Sequence, residues 1–167
     1  MKKLESLKNL FIEQIKDLHD AETQLVEALP AMVRAASDDA LKDAFSTHLR
    51  QTKIHAERLK KILGDLGEPA QGSHCKAMEG LLAEGAELIN QEGRPAVKDA
   101  GLIAAAQRIE HYEIAGYGCA RTFAATLGYV GAAELLQSTL DEEAETNENL
   151  TDIAEELNQL AEIGPGR

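Results

Sequence analysis

Aromatic and β-branched residues are scarce in this chain of 167 residues. Tryptophan is absent, and aromatic side chains make up only 4% of the sequence. No segment sustains the alternation of apolar and polar positions that marks a half-buried strand. Much of the 44% hydrophobic content is alanine and leucine, which favour helix. The composition therefore argues against a β-rich fold and predicts an all-α protein.

Positive charge is also in short supply. The chain has 17 basic and 29 acidic side chains, which give a formal net charge of -12. Proteins that bind nucleic acids or anionic membranes need basic surface to neutralise phosphate groups. We therefore expect no nucleic acid and no membrane among its partners. An acidic excess keeps a protein soluble through self-repulsion, and some of the carboxylates could also collect cations.

Long apolar runs and cysteine pairs are missing too. No stretch reaches the roughly 20 apolar residues that a membrane-spanning helix needs, and the start of the chain is amphipathic, unlike a signal peptide. Cys75 and Cys119 follow no CxxC spacing, so we expect reduced thiols that pack as small apolar side chains. These features predict a cytoplasmic protein.

Four long segments carry apolar residues at the spacing of one helix face. They run from 4 to about 36, from 41 to 63, from 102 to 127 and from 136 to 157. The long connection between the second and third holds a shorter, weaker helix at 77–91. Two short connections and one long one give a ferritin-like antiparallel four-helix bundle whose crossover carries a fifth helix. We expect one domain over residues 1–163, followed by a flexible tail at 164–167.

Polar residues stand at several positions where the apolar stripe should continue. A buried charge costs several kcal/mol unless it is paired or bound to a metal, so such residues need partners. Each long helix contributes at least one, and together they are Glu22, His48, His55, Glu110, Glu113 and Glu143. Taken singly, a carboxylate could sit at the rim beside a basic residue, and a histidine could be an ordinary hydrogen-bonded core residue.

Pairing residues across the short turns indicates which of these positions share a level, at about 1.5 Å of rise per residue. A turn near position 36 brings Glu22 level with roughly position 50, close to His48. A turn near position 129 brings Glu113 level with roughly position 145, close to Glu143. Stacking the two hairpins then gathers buried carboxylates and imidazoles in the middle of the bundle, which is the ligand set of a dinuclear iron or manganese centre.

The pattern departs from the usual di-metal site in one respect. Such sites carry Glu-x-x-His on two of the helices. Here Thr52 stands three residues before His55, and Thr146 stands three residues after Glu143. A centre with fewer ligands, with one metal or with none therefore stays open.

Five segments spread over nearly the whole chain form a specific set of motifs. They are Asp20-Ala21-Glu22-Thr23-Gln24-Leu25, His48-Leu49 with Thr52, Cys75-Lys76-Ala77-Met78-Glu79-Gly80-Leu81, Ile109-Glu110-His111-Tyr112-Glu113 and Leu140-Asp141-Glu142-Glu143. In this combination the chain resembles the YciE/YciF family of bacterial stress proteins, which belongs to the ferritin-like superfamily. The resemblance implies a ferritin-like fold, a cytosolic homodimer and a link to stress survival, but no known reaction. Relatives often carry acidic residues where Arg50-Gln51 stand here. This difference puts a carboxylate ligand from the second long helix in doubt, and His55 could take its place as a ligand.

Two classes of function fit these residues, and storage in a ferritin-like shell ranks behind both. The first is a metal protein that binds iron or manganese through the six residues and handles peroxide or oxygen as an oxidoreductase, with Tyr112 or Tyr117 supplying a proton or electron. The second is a metal-free scaffold that dimerises and binds a protein partner during stress. In that case the carboxylates pair with Arg58, Arg108 or Arg121. The candidate dimer contacts are then Met78, Leu81, Leu82, Leu88 and Ile89.

Overall fold

The computed structural model describes residues 5–163 of the chain. Position 4, where the first predicted helix begins, and the predicted tail at 164–167 lie outside the described residues. The described part is all-helical, as predicted. Its helices are α1 (Leu7–Ala35), α2 (Asp39–Asp65), α3 (Lys76–Asn90), α4 (Pro95–Thr126) and α5 (Val130–Glu162). Within residues 5–163, no helix combines the length and apolarity needed to cross a membrane.

The helices pair as two hairpins that stack into a four-helix bundle. α1 packs against α2, α4 packs against α5, and the hairpins meet through α1 with α4 and α2 with α5. The shorter α3 lies in the crossover and packs on α1 and α4. This is the predicted ferritin-like topology, with short connections within the hairpins and a long one between them.

The turn between α1 and α2 is held by a carboxylate from α4. Asp99 is only 1% exposed. It accepts hydrogen bonds from the backbone N–H groups of Ser37 and Asp38, both at 2.9 Å, and from the Ser37 hydroxyl at 2.5 Å. Asp38 in turn caps α2 by accepting from the N–H of Leu41 at 2.9 Å. The turn that sets the register of the first hairpin is therefore fixed to the second hairpin.

Buried apolar residues form two separate clusters, one towards each end of the bundle. Three helices have a gap without buried apolar residues between the two clusters. The gap lies between Phe45 and Leu59 on α2, between Ile109 and Tyr117 on α4, and between Leu136 and Leu150 on α5. The buried residues in these gaps are polar, with His48 on α2 and Glu143 on α5 as examples. The core thus consists of two apolar halves with a polar layer between them.

Two predictions about single residues are wrong. Cys75 is buried as predicted, but Cys119 is exposed, because it lies about 100° around α4 from the buried Ala120 and so falls off the buried stripe. Met78 is fully buried within the chain itself. It lies on the side of α3 that faces the core and is therefore not available as a dimer contact.

Candidate metal centre

The polar layer brings all six predicted ligand residues together from four helices. Each is buried: Glu22, His55, Glu113 and Glu143 are 0% exposed, Glu110 is 2% exposed and His48 is 3% exposed. Thr52, between the two histidines on α2, is also buried and donates its hydroxyl to the backbone carbonyl of His48 at 2.8 Å. The Thr52 hydroxyl hydrogen is therefore used within α2. The atoms of the six residues that could bind a metal are carboxylate oxygens and imidazole nitrogens.

One group of ligand atoms consists of Glu22, His55 and Glu143. The Nδ1 atom of His55 lies 3.6 Å from Oε1 of Glu22 and 2.9 Å from Oε1 of Glu143. One ligand atom from each of the three residues lies within 4.8 Å of the others, so the group could hold a metal ion.

A second group consists of His48, Glu110, Glu113 and Glu143. The two ring nitrogens of His48 face different carboxylates, with Nε2 at 3.2 Å from Oε1 of Glu110 and Nδ1 at 3.8 Å from Oε2 of Glu143. One ligand atom from each of the four residues again lies within 4.8 Å of the others. Glu143 is common to both groups, so the two sets of ligand atoms are adjacent.

The partner of Glu22 on α2 differs from the prediction, because it lies five residues beyond position 50. Glu22 faces His55, whereas His48, which the turn estimate placed near Glu22, faces Glu110 and Glu143. Side chains tilt towards the N-terminus of their own helix. Glu22 therefore leans away from the α1–α2 turn and His55 leans back towards it, so the two meet although their Cα positions lie at different levels.

Most buried polar atoms of the layer lack a hydrogen bond. They are Oε2 of Glu22, both ring nitrogens of His48, Nδ1 of His55, Oε2 of Glu110 and both carboxylate oxygens of Glu113 and of Glu143. Buried polar groups without partners are rare because each costs about 1–3 kcal/mol. Carboxylate oxygens with imidazole nitrogens are a donor set that suits iron and manganese. The residues present therefore fit a metal centre.

Arginine does not neutralise the layer. Among residues 5–163, no arginine or lysine forms an ion pair with any of the six residues. Arg58 pairs with Glu142 at 2.7 Å, and Arg108 pairs with Glu84 at 3.5 Å. The Nε atom of Arg121 has no partner. The predicted pairing of these buried carboxylates with Arg58, Arg108 or Arg121 is therefore wrong.

Four of the six residues have a raised pKa and therefore hold a proton more tightly than an exposed side chain does. Burial raises the pKa of Glu22 to about 7, and it raises the pKa of Glu110 and of Glu113 well above the ordinary value, with neighbouring carboxylates adding to the rise. Burial lowers the pKa of His48. Burial also opposes the charged form of His55, but its contacts with Glu143 and Glu22 outweigh this and raise its pKa to about 10. A bound cation would have to displace these protons.

Glu142 belongs to this site, although it is not among the six predicted ligand residues. Its Oε2 accepts from Nε2 of His55 at 2.7 Å and from Nη1 of Arg58 at 2.7 Å, and its Oε1 accepts from Nη2 of Arg58 at 3.0 Å. Arg58 also lowers the pKa of Glu142. With Nε2 of His55 engaged, Nδ1 is left to face Glu22 and Glu143. His55 and Arg58 are three residues apart and so lie on one face of α2. This spacing is the sequence feature that could have indicated a shared acidic partner such as Glu142.

The two tyrosines singled out in the sequence have different surroundings. Tyr117 is fully buried and donates its hydroxyl to Oε1 of Glu22. Tyr112 donates to Oδ2 of Asp17 at 2.6 Å and contacts Sγ of Cys75 at 2.9 Å. Only Tyr117 therefore bonds to one of the six residues.

The helix order and the buried layer define the class of this protein as a ferritin-like helical bundle with a candidate metal-binding cluster. A dodecameric thioferritin from Bacteroides fragilis has the same fold, with a TM-score of 0.72 and 14% sequence identity over 94% of this chain and 90% of that chain. At this identity the likeness concerns the fold alone.

Closer similarity assigns the family. Residues 6–162 match the family described as a domain of unknown function, DUF892. Protein YciF of Escherichia coli strain K12 is 42% identical over 161 residues, which are 95% of this chain and 97% of YciF. The chain belongs to this family, and the predicted relationship to YciE/YciF is confirmed.

Solved structures agree with this assignment. The crystal structure of the E. coli stress protein YciF superposes with a TM-score of 0.90 and 41% identity, covering 93% of this chain and 99% of that chain. YcfI from Rhodopseudomonas palustris superposes with a TM-score of 0.86 and 33% identity, covering 90% of this chain and 96% of that chain.

Proposed function

We propose that this chain is a ferritin-like stress protein that binds two iron or manganese ions in its polar layer and takes part in handling peroxide. One observation carries the proposal: two adjacent groups of buried ligand atoms share Glu143, and most of those atoms have no hydrogen bond. Buried carboxylates whose oxygens lack hydrogen bonds are costly for a metal-free fold, whereas a metal ion would satisfy them.

The proposed ligands divide between two ions. Glu22 and His55 would hold one, and His48, Glu110 and Glu113 would hold the other. Glu143 lies in both groups and would bridge the pair. Two ions that each change oxidation state by one electron would supply the two electrons that reduction of peroxide requires.

The chain's own groups would position the ligands and limit water. Glu142 orients His55 through its hydrogen bond to Nε2, and Tyr117 holds one oxygen of Glu22. Outer partners of this kind raise metal affinity in other proteins. The apolar clusters on both sides of the layer exclude bulk water. The description of YciF as a stress protein supports the link to stress.

Replacing Glu110 and Glu143 by alanine tests the proposal. We expect the double variant E110A/E143A to retain no iron or manganese after dialysis, because each ion loses a ligand. The matched control, E87Q/E134Q, removes two exposed carboxylates and should keep the metal content of the unmodified protein. Equal metal content in both variants would contradict the ligand assignment.

A second function, that of a scaffold protein that dimerises, is favoured by an apolar groove between α1, α3 and α4. It has a volume of about 390 Å³, and Ala28, Leu82 and Ile89 are among the residues that line it. A second copy of the chain could cover this groove and form the homodimer that the family resemblance implies. L82D/I89D should then shift the mass measured by light scattering from dimer to monomer. An unmodified protein that is monomeric would contradict the dimer.

A further inference from the structure

A cleft opens between α2 and α5 on the outside of the polar layer. Its volume is about 590 Å³, and its charged lining residues are all acidic, namely Asp43, Glu145, Glu148 and Asp152. All four side chains are exposed. Within residues 5–163, none of them has an ion pair or a hydrogen bond to its carboxylate. The cleft therefore presents unneutralised negative charge to solvent.

A much smaller pocket lies directly behind this cleft. It has a volume of about 10 Å³, and its polar lining residues include His48 and Glu110. A space of this size holds roughly one water molecule. Ala44 and Thr146 line both the cleft and the inner pocket. These two residues therefore form the wall between the acidic cleft and the polar layer.

His48 marks the inner end of this route. It is 3% exposed, and neither of its ring nitrogens has a hydrogen-bond partner. It follows Ala44 by one turn of α2, and its Nε2 lies 3.2 Å from Glu110. A buried imidazole without a hydrogen bond, immediately behind a cleft of exposed carboxylates, is an arrangement suited to receiving a cation.

We propose that the cleft between α2 and α5 is a cation-access site, which collects hydrated divalent cations and passes them between Ala44 and Thr146 to His48. The inference rests on the proposed metal centre. The four cleft carboxylates belong to neither group of converging ligand atoms found among the described residues, so cations there stay hydrated and mobile. Clustered charge of one sign raises association rates by about 10–10³-fold, and salt screens this effect.

The test compares the rate of Co(II) uptake by two charge-matched variants. D43N/E145Q/E148Q/D152N removes the cleft charge, and E27Q/E87Q/E92Q/E134Q removes four exposed carboxylates elsewhere. The chain has three tyrosines and no tryptophan, so quenching of tyrosine emission in stopped flow follows the metal, with Tyr117 beside Glu22.

At low ionic strength we expect uptake by the cleft variant to be about tenfold slower, with the control within about twofold of the unmodified protein. The amount of Co(II) bound at saturation should not change, and the rate difference should disappear in high salt. Equal rates for the two variants would overturn the access site while leaving the metal centre in place. Absence of Co(II) uptake by the unmodified protein would overturn both.

Discussion

Glu113 illustrates, at the scale of one residue, the free-energy cost of burying a carboxyl group in the polar layer and the reason to propose that it binds a metal ion. Its side chain is 0% exposed, and neither carboxylate oxygen accepts a hydrogen bond. Burial, followed by the charges of Glu22 and Glu143, raises its pKa well above the ordinary value. A packed apolar side chain of similar size would suit the metal-free fold better. The proposed metal binding therefore accounts for this glutamate better than stability does.

Replacing Glu113 by leucine should stabilise the metal-free protein. We expect its free energy of unfolding in urea to rise by about 1–4 kcal/mol, because the variant no longer buries an unsatisfied carboxyl group. Replacing the exposed Glu87 by leucine is the control and should change it by no more than about 0.5 kcal/mol. A large loss of stability in the Glu113 variant would mean that the carboxyl group has a structural partner.

Metal binding should release protons, because ligands must lose them to bind. The pKa of Glu22 is raised to about 7 and that of His55 to about 10, so at pH 6 both groups carry a proton in the metal-free protein. Raising the pH removes the competing proton from Glu22, so Mn(II) affinity should increase between pH 6 and pH 7.5. Calorimetry in two buffers of different ionisation enthalpy measures the release. Identical heats in both buffers at pH 6 would contradict it.

At the scale of helices, the polar layer depends on how α2 and α5 are joined. Glu142 on α5 contacts both His55 and Arg58 on α2, and Arg58 also donates to the hydroxyl of Thr139 at 3.0 Å. This network sits beside Glu143 and fixes which ring nitrogen of His55 faces the layer. Glu142 is thus a positioning residue that acts through His55.

Replacing Glu142 by glutamine should weaken Mn(II) binding by about 10–100-fold, because the imidazole loses its charged acceptor. The number of ions bound at saturation should stay the same, since no ligand is removed. Asp141→Asn, an equal change of charge at the adjacent exposed position, should leave the affinity within about twofold. Titration with Mn(II) followed by electron paramagnetic resonance measures both quantities. Equal affinities in the two variants would rule out the positioning role.

The helices themselves were predictable because apolar spacing reports the buried face of each one. All five helices were predicted in the right order, and Gly128, with a φ of 75°, follows the third long segment, which was predicted to end at 127. The six polar residues were predictable for the same reason, because each interrupts an apolar stripe. Local periodicity is a property of one helix and needs no knowledge of its neighbours.

Contacts between helices were harder to predict. The pairing of Glu22 with His55 depends on the opposite tilt of side chains on antiparallel helices, which counting residues across a turn ignores. The role of Glu142 depends on Arg58, which lies 84 residues away in the chain. Such relations follow from packing between helices and cannot be read from the period of one segment.

For the whole molecule, the layer divides the core into two apolar halves that meet a set of unpaired ligand atoms. In the metal-free state this layer costs stability, because many of its buried polar atoms lack hydrogen bonds. Bound metal would convert it into a crosslink between all four long helices. The protein should therefore be more resistant to heat when loaded, since a ligand that binds only the folded state stabilises it.

The metal content of the unmodified protein tests this account most directly. Untagged protein, purified without chelators and dialysed extensively, would be analysed for its elements before and after anaerobic addition of Fe(II) or Mn(II). We expect close to two iron or manganese ions per chain, one for each group of ligand atoms around Glu143. Protein that retains no metal under either condition would contradict the central claim and leave the scaffold function in its place.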